Sequence, residues 1–139
     1  MSYLIDTNVL VYAEDNRDTS KQTQARDLIR ALLLERRGVI SLQVLQEFHV
    51  VATRKLNMDP EAARHRILRY SRFEIIPLQF PDLLSAIDLQ QLHNLSFWDA
   101  LIVKAALNGS CKVLHSEDMH SGHIIETLAL NNPFALAGR

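Results

Sequence analysis

Apolar residues are distributed along the chain in two alternating patterns: short continuous runs, and longer stretches in which they recur every three or four positions. Tyr3-Leu4-Ile5 is a short run suited to a buried strand. It ends at Asp6-Thr7-Asn8, a polar cluster able to cap a helix over Val9 to Ala13. A polar loop follows from Glu14 to Ser20. From Lys21 onward, Ala25, Leu28, Ile29, Leu32 and Leu33 repeat at helical spacing, with Arg36 and Arg37 suited to the last turn and Gly38 to the stop. Val39-Ile40-Ser41 reads as a second strand and Leu42 to about Arg54 as a helix. Asp59-Pro60 pairs a capping residue with a first-turn proline and opens a helix to about Tyr70. Phe73 to Leu78 reads as a third strand, and Pro81 opens a helix through about Leu92. Ser96-Phe97-Trp98-Asp99 begins a strongly apolar helix that stops at Gly109. Lys112 to His115 is a fourth strand and Ile124 to Leu130 a fifth, close to Asn131-Asn132-Pro133. Strands alternating with helices predict an α/β fold with a mostly parallel central sheet of about four to five strands flanked by helices. With no repeat, low-complexity tract or linker, residues 1–139 read as a single domain.

The acids fall at telling places in this pattern. Asp6 directly follows the first strand, and Asp118 comes three residues after the fourth. In open parallel sheets, sites form outside the carboxyl ends of the strands, so both are expected at one edge. Asp99 lies in the first turn of a helix. Glu47 sits within another, on the side of Val44, Phe48 and Val51. A carboxylate inside an apolar stripe is costly unless it is paired or holds a metal; at the stripe's margin it reaches water or an arginine. Each acid also has a plain structural role open to it. Ser96-x-x-Asp99 resembles a capping box, and Asp6-Thr7-Asn8 an ordinary helix entry. Convergence changes the balance. Two like charges at 4 Å repel by about 4 kcal/mol at an effective dielectric of 20. Several ionised carboxylates at one edge therefore call for a hard divalent cation, which prefers oxygen ligands.

Bulk composition narrows the classes further. Cys111 is the single cysteine, so no intrachain disulfide forms and a reducing compartment is expected. Met1 to Leu4 show no basic leader followed by a long apolar run, and no apolar stretch approaches the length of a membrane span. The expected location is the cytoplasm. The net charge of -1 argues against a uniformly cationic nucleic-acid binder, but not against positive charge gathered on one face. Arg64, Arg66, Arg69 and Arg72 form such a local concentration. Cys111, His115, His120 and His123 match no standard zinc spacing and are expected to have ordinary roles. No phosphate-cradling glycine loop or GxSxG elbow is present.

These residues carry a family resemblance. Leu4-Ile5-Asp6-Thr7-Asn8-Val9-Leu10 resembles the opening of PIN-domain nucleases, and Glu47 within Leu45-Gln46-Glu47-Phe48 resembles their second acid. Ser96-Phe97-Trp98-Asp99-Ala100-Leu101-Ile102 is similar to their third-acid segment, and Ser116-Glu117-Asp118 to the fourth. Order, spacing and length resemble the toxin nucleases of VapC-type toxin–antitoxin pairs, as does Asn132-Pro133-Phe134 near the end. Where the family often places a further acid, two residues after Asp118, this chain has His120. The resemblance implies a PIN-like three-layer sandwich. It also implies a metal-dependent endoribonuclease that hydrolyses RNA phosphodiester bonds as the toxin of a toxin–antitoxin module. Asp6, Glu47, Asp99 and Asp118 would be the catalytic and metal-binding residues for magnesium or manganese. Thr7, Asn8, Ser96 and Ser116 would hold them in place, unless they serve only as caps and turns. RNA phosphates need positive partners, for which Arg17, Lys21, Arg54, Lys55 and the Arg64–Arg72 group are candidates. A cognate antitoxin and a homodimer are the implied protein partners, with Phe80 or Phe134 as contact residues if they do not pack in the core.

Three rival readings differ from that one in the residues they need. A receiver-like domain needs adjacent acids near the first strand and a strand-end lysine. A phosphatase of the Asp-x-Asp kind needs an acid where Asn8 stands. A PIN-like RNA-processing or RNA-binding module without a toxin role shares the fold, and an inactive one would have no reason to keep all four acids.

Overall fold

The computed structural model describes residues 1–135, and among these the chain forms six strands and six helices. In order they are β1 (Ser2–Ile5), α1 (Thr7–Glu14), α2 (Thr19–Glu35), β2 (Gly38–Ser41), α3 (Leu42–Arg54), α4 (Pro60–Tyr70), β3 (Glu74–Ile76), α5 (Phe80–His93), α6 (Phe97–Asn108), β4 (Cys111–His115), β5 (Ile124–Ile125) and β6 (Leu128–Asn131). The sheet runs β3-β2-β1-β4-β6-β5. All neighbours are parallel except the β5–β6 pair. The chain steps outward from β1 through β2 to β3, then crosses back to place β4 on the other side of β1. Right-handed crossovers in opposite directions put α1 to α4 on one face and α5 with α6 on the other. The packing agrees: α1 contacts α2 and α3, α3 contacts α4, and α5 contacts α6.

The central strands are buried on both faces, which explains their unbroken apolar runs. Leu4, Ile5, Val39, Ile40, Leu114, Leu128 and Leu130 form the middle of the core. Val9, Leu10, Val44 and Phe48 cover one side. Ala100, Val103 and Ala106 of α6 complete the core from the other face. Phe48 meets Tyr70 edge to face at 5.4 Å, joining α3 to α4.

Several boundaries differ from the sequence expectation for identifiable reasons. Helix α2 begins at Thr19 rather than Lys21, because Asp18 caps it by accepting the Lys21 N–H at 3.0 Å. It ends at Arg36, which takes the left-handed conformation expected of a glycine (φ 56°, ψ 40°). Gly38 is therefore not the helix stop but the first residue of β2. A Cβ there would fall on the Phe73 ring. Gly38→Ala is expected to lower stability by about 1–3 kcal/mol through overpacking, measurable by urea denaturation. The third strand shrinks from Phe73–Leu78 to Glu74–Ile76, and the helix after it starts at Phe80. Ile124 to Leu130 is not one strand but a hairpin, turned at Glu126 with φ 54°. Phe134 packs in the core against Tyr12, with ring centroids 4.9 Å apart, whereas Phe80 is 70% exposed. Among the described residues, no helix is long and apolar enough to cross a membrane.

Candidate active site

The topology assembles one edge of the sheet from distant segments. β1 lies between β2 and β4, so the chain reverses its direction of travel beside it. A crevice opens there, outside the strands' carboxyl ends. Asp6 leaves β1 at this edge, and Ser116-Glu117-Asp118 leaves β4. A helix returning to a parallel strand runs against the strands, so α1, α3 and α6 all start at the same edge. Thr7 and Asn8, Glu47, and Ser96 with Asp99 come with them.

Asp6 is the centre of the arrangement and is only 4% exposed. Its Oδ1 accepts the Thr7 N–H at 2.7 Å, and its Oδ2 accepts the Ser116 hydroxyl at 2.7 Å. Burial raises its pKa to about 6, against the lowering effect of those two donors, and the charges of Asp99 and Glu47 add to the rise. The Ser116 hydroxyl also accepts from the Asp118 N–H at 3.2 Å and from Asn8 Nδ2 at 3.3 Å. Asn8 Nδ2 donates to Asp118 Oδ2 at 3.1 Å, and its Oδ1 accepts the Glu117 N–H at 3.2 Å. Asn8 thereby clamps the segment after β4 onto the start of α1.

The other two acids reach the same place from α3 and α6. Glu47 is half-buried and accepts the Thr7 hydroxyl at 2.9 Å, so its position in the apolar stripe is relieved by a hydrogen bond from α1. Asp99 is half-buried beneath the cap that Ser96 forms by accepting its N–H at 3.1 Å. Burial raises the Asp99 pKa, the Ser96 hydroxyl opposes this, and Asp118 raises it further. The structure therefore brings all four acids within electrostatic range of at least one other of the set. None of the ion pairs formed among the described residues involves any of the four. No three His, Cys, Asp or Glu side chains among the described residues close into a metal cage. The arrangement is an open one, in which waters and a substrate would supply the remaining ligands to an ion.

Glu117 takes a different direction from Asp118. It accepts the Tyr12 hydroxyl at 2.7 Å and forms an ion pair with Lys21. The Lys21 ammonium also lies over the Tyr12 ring at 4.7 Å and near the Phe134 ring at 5.7 Å. Sequence reasoning missed this knot, since nothing in the spacing of Tyr12, Lys21 and Glu117 connects them. Of the candidate RNA-binding cations, Lys21 alone stands at the acid edge. Arg54 and Lys55 are exposed at the far end of α3, seven and eight residues beyond Glu47, about 10–12 Å along the helix. Arg17 forks onto Asp15 at 2.9 and 3.0 Å and shares a cleft of about 330 Å³ with Lys55. Arg66, Arg69 and Arg72 line a separate cleft of about 540 Å³ with Arg26 and Arg30 of α2. His115 packs beside Tyr3, and its Nδ1 pairs with Asn131 at 3.1 Å; burial holds its pKa near 4, so the ring is neutral.

The PIN domain family profile matches residues 3–121. The chain is a member of the PIN domain family. This PIN domain also resembles solved structures over nearly its whole length. A toxin–antitoxin complex from Klebsiella pneumoniae superposes with a TM-score of 0.73 at 22% identity, covering 97% of this chain and 100% of the other. VapBC2 from Rickettsia felis, bound to a DNA fragment from its promoter, gives 0.68 at 21% identity, with 95% and 98% covered. VapC20 of Mycobacterium tuberculosis, described as a sarcin–ricin loop cleaving toxin, gives 0.67 at 16% identity, with 84% and 90% covered. At these identities the likeness establishes the fold of the PIN domain. No curated protein matches it significantly by sequence.

Proposed function

We propose that this PIN domain is a divalent-metal-dependent endoribonuclease, the toxin of a toxin–antitoxin module acting in the cytoplasm. One observation carries the reading: buried Asp6 lies within electrostatic range of Glu47 and Asp99, and Asp99 within range of Asp118, with no cation paired to any of the four among the described residues. Such a set is unfavourable as an isolated structural feature and suits a hard cation. The donors are all oxygens, which fits magnesium or manganese rather than a thiolate-seeking metal. Asp6 and Asp99 are assigned as principal ligands, with Glu47 and Asp118 completing the site directly or through water. When bound, the ion supplies charge neutralisation at the phosphate and a more acidic water.

The chain's own residues then have distinct tasks. Thr7 N–H and the Ser116 hydroxyl fix both oxygens of Asp6. The Thr7 hydroxyl orients Glu47, and Asn8 orients Asp118. Asp118 is exposed at the rim, where it can accept a proton from the attacking water. Glu117, held by Lys21 and Tyr12, anchors the segment and does not face the reaction.

The toxin role is supported by the toxin–antitoxin complexes among the structural neighbours, and RNA as substrate by the neighbour described as cleaving the sarcin–ricin loop. An antitoxin protein and a second copy of the chain are the proposed partners. The test is metal-dependent cleavage of RNA by the purified protein. Asp118→Asn is expected to lower the rate at least about tenfold, and Glu117→Gln less than that, since it removes an anchoring contact alone. Equal losses in the two variants would count against this division of roles. No cleavage by the wild-type protein with either magnesium or manganese would end the proposal.

A further inference from the structure

Trp98 is the only tryptophan in the chain, stands immediately before Asp99, and is 61% exposed. Together with Gln43, Gln46, Glu47, Val50 and Val51 it lines a groove of about 460 Å³ between α3 and the start of α6. The walls of this groove are tied together. Gln43 Nε2 donates to the Trp98 carbonyl at 3.3 Å, and the Phe97 ring braces the indole at 5.2 Å with an interplanar angle of 67°. Val50 adds apolar surface that is 47% exposed.

From this groove we infer a docking site for an unpaired RNA base next to the phosphate held at the acids, an inference that rests on the nuclease reading above. Continuity is the first reason. Glu47 belongs both to the groove and to the acid set, and Trp98 directly precedes Asp99 in the chain, so the groove adjoins the proposed reaction centre at Glu47. Charge is the second. The lining holds no lysine or arginine and one carboxylate, so it repels phosphate and acidic peptide alike. A nucleobase, neutral, flat and partly polar, suits such a lining. An indole beside two valines offers a stacking platform that accepts any base. Gln43 and Gln46 add side-chain amides to the lining, groups whose free donors and acceptors can bond a base edge. A base inside a duplex cannot present its face, so the site selects unpaired loops or strands.

The lone tryptophan makes the test direct, because all indole emission comes from Trp98. Wild-type protein with magnesium is titrated with a phosphorothioate-linked unpaired oligoribonucleotide, which is cut slowly, and in parallel with a fully paired duplex of the same sequence. The unpaired strand is expected to quench Trp98 emission saturably and the duplex to leave it unchanged. In cleavage of unpaired RNA, Trp98→Ala is expected to raise KM about tenfold with kcat within about threefold, and Trp98→Phe to recover most of the loss. Thermal unfolding of both variants checks that they remain folded. Normal cleavage by the wild-type protein with no quenching and an unaltered KM in Trp98→Ala would overturn the inference while leaving the nuclease reading standing. Emission that follows protein concentration rather than RNA, with a dimer lost in Trp98→Ala, would overturn it by assigning the groove to a second copy. Absence of cleavage by the wild-type protein would instead remove the nuclease reading.

Discussion

Asp6→Asn is expected to reduce metal-stimulated RNA cleavage by at least about a thousandfold while making the metal-free protein more stable, not less. The two effects share one cause. Asp6 is buried with other carboxylates nearby and no cation among its partners, so its charge is useful only when an ion is present. Asparagine keeps the shape and its Oδ1 still accepts the Thr7 N–H, while its Nδ2 meets a Ser116 hydroxyl that already accepts from the Asp118 N–H and Asn8 Nδ2, so relief of the buried charge has to outweigh that competition. It cannot supply an anionic ligand. A loss of about 4 kcal/mol in transition-state stabilisation corresponds to about three orders of magnitude in rate. The check is cleavage of a labelled RNA alongside thermal unfolding with and without manganese. Manganese should raise the melting temperature of the wild-type protein and not that of the variant. Undiminished cleavage by Asp6→Asn would refute the role given to this residue.

Without metal, ionising Asp6 as the pH rises from about 4 to above 6 is expected to withdraw roughly 3 kcal/mol of stability. Burial of neutral His115 works in the opposite direction over the same window, so the effect is read as the difference between wild type and Asp6→Asn. Asp6 titrates near 3.8 when unfolded and near 6 when folded. Between those values the folded state binds the extra proton, so stability falls as pH rises, and the full loss is reached above the folded pKa. A shift of this size corresponds to roughly 3 kcal/mol at 1.36 kcal/mol per unit. Asp99 is displaced in the same direction, for the same leading reason of burial, and adds to the trend. An ion that binds only the folded state restores stability by mass action, by about 2.7 kcal/mol at a hundred times its dissociation constant. Urea denaturation at pH 4, 5, 6 and 7.5, with and without magnesium, reads both effects. The same pH profile in the metal-free wild-type protein and in Asp6→Asn would show that this carboxyl makes no such contribution.

Much of this was visible in the chain itself. The element order and the parallel sheet followed from apolar runs alternating with helical spacing, because strands buried on both faces leave an unmistakable pattern. The approach of Asp6 to the segment of Asp118 followed from their positions after strands. What escaped detection were features set by contacts between distant segments. Gly38 looked like a helix stop, whereas its role is to make room for Phe73, a residue 35 positions away. The Glu126-Thr127 turn lacks the Asn-Gly signal that marks a tight hairpin, so two short strands read as one. Arg54 and Lys55 were candidates for phosphate contacts, but they lie at the C-terminal end of α3, about two turns beyond Glu47. The reciprocal bonding of Asn8 with Glu117 and Asp118 depends on a strand order that no local pattern specifies.

The two outermost strands of the sheet have a consequence for how this protein meets others. One is three residues long and is stopped by Pro77; the other is two residues long and doubles back through the hairpin. Neither exposes enough free backbone to serve as a template on which a foreign chain could zip up. Recognition must then be written in side chains on helices and loops, where a few substitutions can exchange one companion for another without disturbing the scaffold beneath.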